Sequence, residues 1–113
     1  MFNYYIYRTY FNAKHSFNGD ITKIHGHSFT VVTYIGMKDS KEDIPFFKLE
    51  AIISSFIDQY RGRYLNELPE FEGCGNTLET IGDYFYEKLR KQLMKSGMEL
   101  YQLDISENPL CVY

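Results

Sequence analysis

The spacing of hydrophobic positions changes along the chain, and each change marks an element. From Asn3 to Ala13 the residues are rich in Tyr, Ile, Thr and Phe and contain neither Gly nor Pro, a composition that favours extended backbone. Asn18-Gly19-Asp20 is a strong turn signal, and Phe29-Thr30-Val31-Val32-Thr33-Tyr34-Ile35 is a second extended run. Together they predict a two-stranded hairpin with a long loop. After the polar stretch Lys38 to Asp43, the apolar positions Leu49, Ile52, Ile53, Phe56, Ile57 and Tyr60 follow helical spacing, with Pro45 suited to the helix entrance. Asn76-Thr77-Leu78-Glu79 resembles a capping box, and Ile81, Phe85, Leu89 and Leu93 continue that helix until Gly97. Arg61 to Gly75 is irregular. Met98 to Ile105 reads as a third strand, and Asn108-Pro109 turns the chain into a short final strand, Leu110 to Tyr113. The element order is therefore ββααββ.

Composition narrows the picture. At 113 residues and 44% hydrophobic content the chain has the size of one domain, spanning 1–113, with no shift in composition along it. Its formal charge of −3, without a Lys/Arg block, argues against nucleic acid as a ligand. No apolar run has the length that spans a bilayer, and Met1-Phe2-Asn3-Tyr4-Tyr5 lacks the layout of a signal peptide. The expectation is a cytoplasmic protein with no membrane partner. Cys74 and Cys111 lie in no CxxC pair and are read as reduced thiols.

All three histidines fall close together, as His15, His25 and His27. On a strand His25 and His27 point to the same face while Gly26 faces the other way, so two imidazoles are pre-aimed at one point. Three neutral imidazoles with an open fourth position are the ligand set of a catalytic zinc. Other charged residues have simpler readings. Asp20 is a turn residue beside Asn18-Gly19, Glu79 caps a helix start, and Cys74 sits between two glycines as a surface thiol. Lys23 and Arg61 are solvated charges, although either could meet a phosphate.

Phe11-Asn12-Ala13-Lys14-His15, His25-Gly26-His27, Leu65-Asn66, Thr77-Leu78-Glu79 and Glu107 together resemble the motif series of the 6-pyruvoyl tetrahydropterin synthase and 6-carboxytetrahydropterin synthase family. The F-x-A-x-H and H-G-H elements are its specific part. The resemblance implies the α+β tunnelling fold: ββααββ subunits with an antiparallel four-stranded sheet and two helices on one face, joined as a homo-oligomer, trimer or hexamer. It implies zinc on His15, His25 and His27, and a pterin such as dihydroneopterin triphosphate bound through Glu107 and Thr77. The implied reaction is that of a carbon-oxygen lyase eliminating triphosphate. Strand edges point the same way on assembly, since closed symmetric association removes unpaired edges.

The chain departs from this pattern where the family keeps its acid/base apparatus. Ile21 stands at the place of the catalytic cysteine, and Arg61-Gly62 at that of an Asp-His pair. Pro45-Phe46 replaces the Asp-Phe opening the first helix, and Asn76 the proline before Thr-x-Glu. Two expectations stand side by side: an active enzyme in which Asp20 serves as replacement base, or a catalytically silent homologue that binds a pterin or purine-like ligand as a sensor or partner subunit.

Overall fold

Alternation and helical periodicity are both realised, and the two kinds of element meet on one side of a sheet. The structure, a computed structural model, describes residues 4–15, 25–38, 43–63, 65, 68, 78–108 and 111–113. Its elements are β1 (Tyr5–His15), β2 (His25–Met37), α1 (Phe46–Asp58), α2 (Leu78–Met94), β3 (Met98–Asn108) and β4 (Cys111–Val112). The four strands form one antiparallel sheet in the order β1-β2-β3-β4. The expected α+β architecture of four antiparallel strands and two helices on one face is therefore present. The strands β1, β2 and β3 run beyond the expected ends, to His15, Met37 and Asn108. The Asn18-Gly19-Asp20 turn, Asn76 and Leu110 lie outside the described residues.

In β1 and β2 the register pairs Thr9 with Val31 and Phe11 with Phe29, and all four are buried. Directly paired residues share a face, so these positions define the face that the helices cover. The opposite, open face carries Arg8, Tyr10 and Asn12, all exposed. In β3 the pairing shifts between Thr33↔Leu103, Tyr34↔Gln102 and Ile35↔Leu100, leaving Tyr101 as the extra residue of a bulge. The bulge resets the alternation. Met98 and Leu100 meet the helix-covered face before it, and Leu103 and Ile105 meet the same face after it.

Helix α1 buries Leu49, Ile53, Phe56 and Ile57, and α2 buries Ile81, Gly82, Phe85, Leu89 and Leu93. Pro45 is the N-cap of α1, and its carbonyl accepts from the backbone N–H of Lys48 and Leu49 at 3.0 Å each. An aromatic cluster ties helices to sheet. The Phe85 ring lies 5.7 Å from Phe11, 5.1 Å from Phe56 and 4.9 Å from Tyr60, and Phe11 stacks on Phe29 at 4.9 Å and 14°. Such pairs add roughly 0.5–1.5 kcal/mol each beyond the area they bury. Gly82 is the point where α2 touches β3: a Cβ there would stand 2.8 Å from Ile105 Cγ2 and 2.9 Å from Tyr113 Cδ2. Tyr113 is held by paired backbone hydrogen bonds with Ile105, and its hydroxyl donates to Asp83 at 2.7 Å. That hydrogen bond to the carboxylate, with partial desolvation, keeps the phenol protonated above its ordinary pKa.

Two turns rely on left-handed glycines. Gly97, at φ +75°, ends α2, and its carbonyl accepts from Lys38 at the end of β2. Gly62, at φ +70°, turns the chain after α1 back onto the outer edge of β1. There the Gly62 N–H donates to the Asn12 carbonyl at 2.6 Å and the Lys14 N–H to the Arg63 carbonyl at 2.8 Å.

Candidate functional site

The register of the first two strands brings the three histidine positions together. His15 pairs directly with His25, and Ala13 with His27. Because paired residues share a face and alternate residues of a strand share a face, positions 15, 25 and 27 all belong to the helix-covered face. They continue the row that begins with Thr9↔Val31 and Phe11↔Phe29. Directly opposed positions lie about 4.5–5.5 Å apart at Cβ, and alternate positions of a strand about 6.5 Å. The side chains of the three histidines lie outside the described residues. Gly26, opposite Lys14, falls on the other face.

The site end of the sheet has an apolar floor. Ala13 and the stacked Phe11 and Phe29 are buried immediately before the histidine positions, so water is excluded on that side. Leu65, from the Leu-Asn motif, is fully buried in the same core. Its role here is packing.

Glu107 lies at this end too. Ser106 pairs with Thr30 of β2, and Glu107 follows at the irregular step between Ser106 and Asn108 where β4 joins. It is half-buried and borders a cavity of about 430 Å³ on the open face, with Arg8, Tyr10, Thr30 and Ser106 among the lining residues. The three histidine positions and Glu107 thus lie at one end of the sheet, the histidine positions on the helix-covered face and Glu107 bordering the cavity on the open face. Asp20 and Thr77, the other expected site residues, lie outside the described residues, as do Lys23 and Cys74. Glu79 is exposed in the first turn of α2.

Two polar groupings were not foreseen from the sequence. On the open face Asp104 accepts from the Tyr34 hydroxyl at 2.9 Å and from Gln102 Nε2 at 2.7 Å. The bond to the carboxylate, then desolvation, raises the pKa of the Tyr34 phenol. The pair spans 70 residues of sequence, so only the sheet register reveals it. The second grouping surrounds Arg61. Its Nε donates to Asp58 Oδ1 at 2.6 Å and its Nη1 to the Tyr10 carbonyl at 2.6 Å, so the residue read as a solvated charge clamps the end of α1 to the edge of β1.

Comparison with known proteins agrees with this architecture. The sequence profile of the 6-pyruvoyl tetrahydropterin synthase family matches residues 5–113, and the chain belongs to that family. Among solved structures it is similar to 6-pyruvoyl tetrahydropterin synthase of Caenorhabditis elegans, with a TM-score of 0.82 at 21% identity, covering 98% of this chain and 92% of that one. It is also similar to an uncharacterized protein of Wolinella succinogenes, with a TM-score of 0.64 at 16% identity, covering 98% and 97%. At these identities the two structures establish the tunnelling fold and no more. No curated protein sequence matches the chain. No helix among the described residues is long and apolar enough to cross a membrane.

Proposed function

We propose that this chain is a zinc-binding, pterin-recognising member of its family whose lyase chemistry is weak or lost. The observation that carries this reading is the register that sets positions 15, 25 and 27 on one face of the sheet, at the end where Glu107 also lies. His15, His25 and His27 hold the ion. Bound zinc supplies a Lewis acid that polarises a substrate oxygen. Glu107 accepts paired hydrogen bonds from the guanidine-like edge of the ring, the geometry a carboxylate is built for, and Thr77 adds a hydroxyl to the same ligand.

Proton transfer is the step for which this chain offers least. At the place of the family's Asp-His pair, Gly62 has no side chain, and the Arg61 guanidinium is engaged with Asp58 and the Tyr10 carbonyl. A guanidinium is not deprotonated in proteins and cannot act as a base. Loss of a positioned acid or base costs about 10²–10⁴-fold in rate. The same observation favours the second reading, a silent homologue that keeps ligand binding. If turnover persists, Asp20 is the base.

Turnover of dihydroneopterin triphosphate and affinity for the ring, measured on the parent, Asp20→Asn and Glu107→Ala proteins, test this. Expected are little or no conversion by the parent, residual turnover abolished by Asp20→Asn, and weaker ring binding in Glu107→Ala. Family-typical turnover surviving Asp20→Asn overturns the account of the chemistry, and unchanged affinity in Glu107→Ala overturns the ring anchor.

The reading includes a homo-oligomer, a trimer or hexamer. Tyr5, Ile6 and Tyr10 are exposed along β1, an edge strand of the sheet, and apolar edge strands are covered in stable proteins. Sedimentation should therefore find an assembly; a stable single chain at micromolar concentration contradicts it.

A further inference from the structure

At the end of the sheet away from the histidine positions, the open face holds an aromatic hollow. A cavity of about 320 Å³ is bordered there by Tyr4, Tyr34, Tyr101 and Gln102. The stretch of β2 from His25 to Tyr34 is about 30 Å long at the rise of a strand. Thr33 and Ile35, on either side of Tyr34, are buried under the helices, so Tyr34 faces the other way. Distance and face both separate this hollow from the histidine positions.

The tyrosines reach the hollow by different routes. The Tyr4 ring lies 5.9 Å from that of Tyr34 at 54°, so the two form an angled wall rather than a stack. Tyr101 is the extra residue of the β3 bulge. A bulge re-aims a side chain that strict alternation would send to the opposite face, and Tyr101 accordingly borders the same cavity as its neighbour Gln102.

The electrostatics suit a cation. The face of an aromatic ring carries the negative part of its quadrupole. The Tyr34 hydroxyl donates to Asp104 at 2.9 Å, and a hydrogen bond to a carboxylate polarises the phenol so that its ring gains electron density. Gln102 Nε2 donates to the same carboxylate at 2.7 Å, which leaves the amide oxygen, an acceptor, as the other polar atom of that side chain. Arg8 borders the neighbouring cavity together with Asp104, so its charge is offset there. Among the described residues no Lys or Arg borders the tyrosine hollow.

We propose that Tyr4, Tyr34 and Tyr101 bind a small organic cation, a quaternary or methylated ammonium whose N-methyl groups meet the ring faces. Tyrosine rings grouped around such a cation replace its weak hydration with cation–π attraction, whereas a primary ammonium is strongly hydrated and gains less. The volume lies at the small end of ligand sites, which span about 300–1,000 Å³, and suits a molecule the size of choline. Neither the zinc nor the pterin of the reading above enters this site.

The test titrates choline into the whole protein at constant ionic strength, followed by NMR, beside its neutral isostere, the alcohol with a tert-butyl group in place of trimethylammonium. The N-methyl resonance of choline should move upfield, as protons over ring faces do, and saturate. The isostere should bind about tenfold more weakly. Tyr4→Leu and Tyr101→Leu keep an apolar side chain but remove a ring, and each should raise the Kd for choline about fivefold, while Tyr4→Phe should stay within about twofold. Both tyrosines are exposed, so the core is untouched, and circular dichroism verifies the fold. The His25→Ala/His27→Ala double variant should bind choline as the parent does. Absence of a saturable shift, equal affinity for choline and the isostere, a Kd unchanged in Tyr4→Leu/Tyr101→Leu, or choline binding lost with the histidines each overturns the proposal.

Discussion

Alanine at both His25 and His27 should take the purified protein from about one zinc ion per chain to nearly none. The expectation follows from the pairing of β1 with β2. His15 and His25 are directly opposed and His27 is the next position on the same face, so removing two of the three imidazoles leaves a lone ligand. One imidazole on a strand does not retain zinc through purification, because affinity comes from several ligands held in place together. The positions lie past the last core pair, Phe11↔Phe29, so the fold should survive and the loss should be specific to the ion. Elemental analysis beside circular dichroism decides it: a folded double variant carrying as much zinc as the parent eliminates the proposed ligand set.

The second large effect concerns stability. Phe85→Ala should cost about 3–5 kcal/mol, the range for truncating a buried phenylalanine. Phe85 has no exposed surface, and its ring touches Phe11 of β1, Phe56 of α1 and Tyr60 at the end of that helix. Its removal opens a cavity between elements distant in sequence, which cannot close by local adjustment. Since domains of ordinary size are stable by only about 5–15 kcal/mol, the loss is a large share of the total. Urea unfolding reads it as a lower midpoint at similar slope; a change below about 1 kcal/mol would mean that this cluster does not join helices to sheet.

Much of this arrangement is legible in the sequence. The helical spacing of Leu49, Ile53, Phe56 and Ile57 and of Ile81, Phe85, Leu89 and Leu93 marks the faces that are buried, because a helix must hide one stripe. Alternation placed His25 and His27 on one side. Their match with His15 was supplied by the cross-strand register, since local sequence carries the period of a strand but not the identity of its neighbour. For the same reason the Tyr34–Asp104 pair and the hold of Arg61 on Tyr10 were hidden: each joins residues far apart in the chain. Arg61 looked like a solvated charge because most arginines are, and only the left-handed turn at Gly62 brings it to the edge of β1. The ends of the strands were underestimated where polar residues such as Ser106, Glu107 and Asn108 continue the pairing of β3, since hydrogen bonding does not need apolar side chains.

The bulge at Tyr101 gives β3 two reading frames. Odd-numbered residues serve the interior on one side of it, Leu103 and Ile105, and even-numbered ones on the other, Met98 and Leu100. A regular strand of the same sequence would carry Met98 and Leu100 to the open face and strip the far end of α2 of its support. Chain length between Gly97 and Ile105 is therefore fixed as tightly as side-chain character. Across relatives, a single-residue gap in this stretch would signify a rewired sheet, whereas ordinary substitutions at Gln102 or Glu99 would signify little.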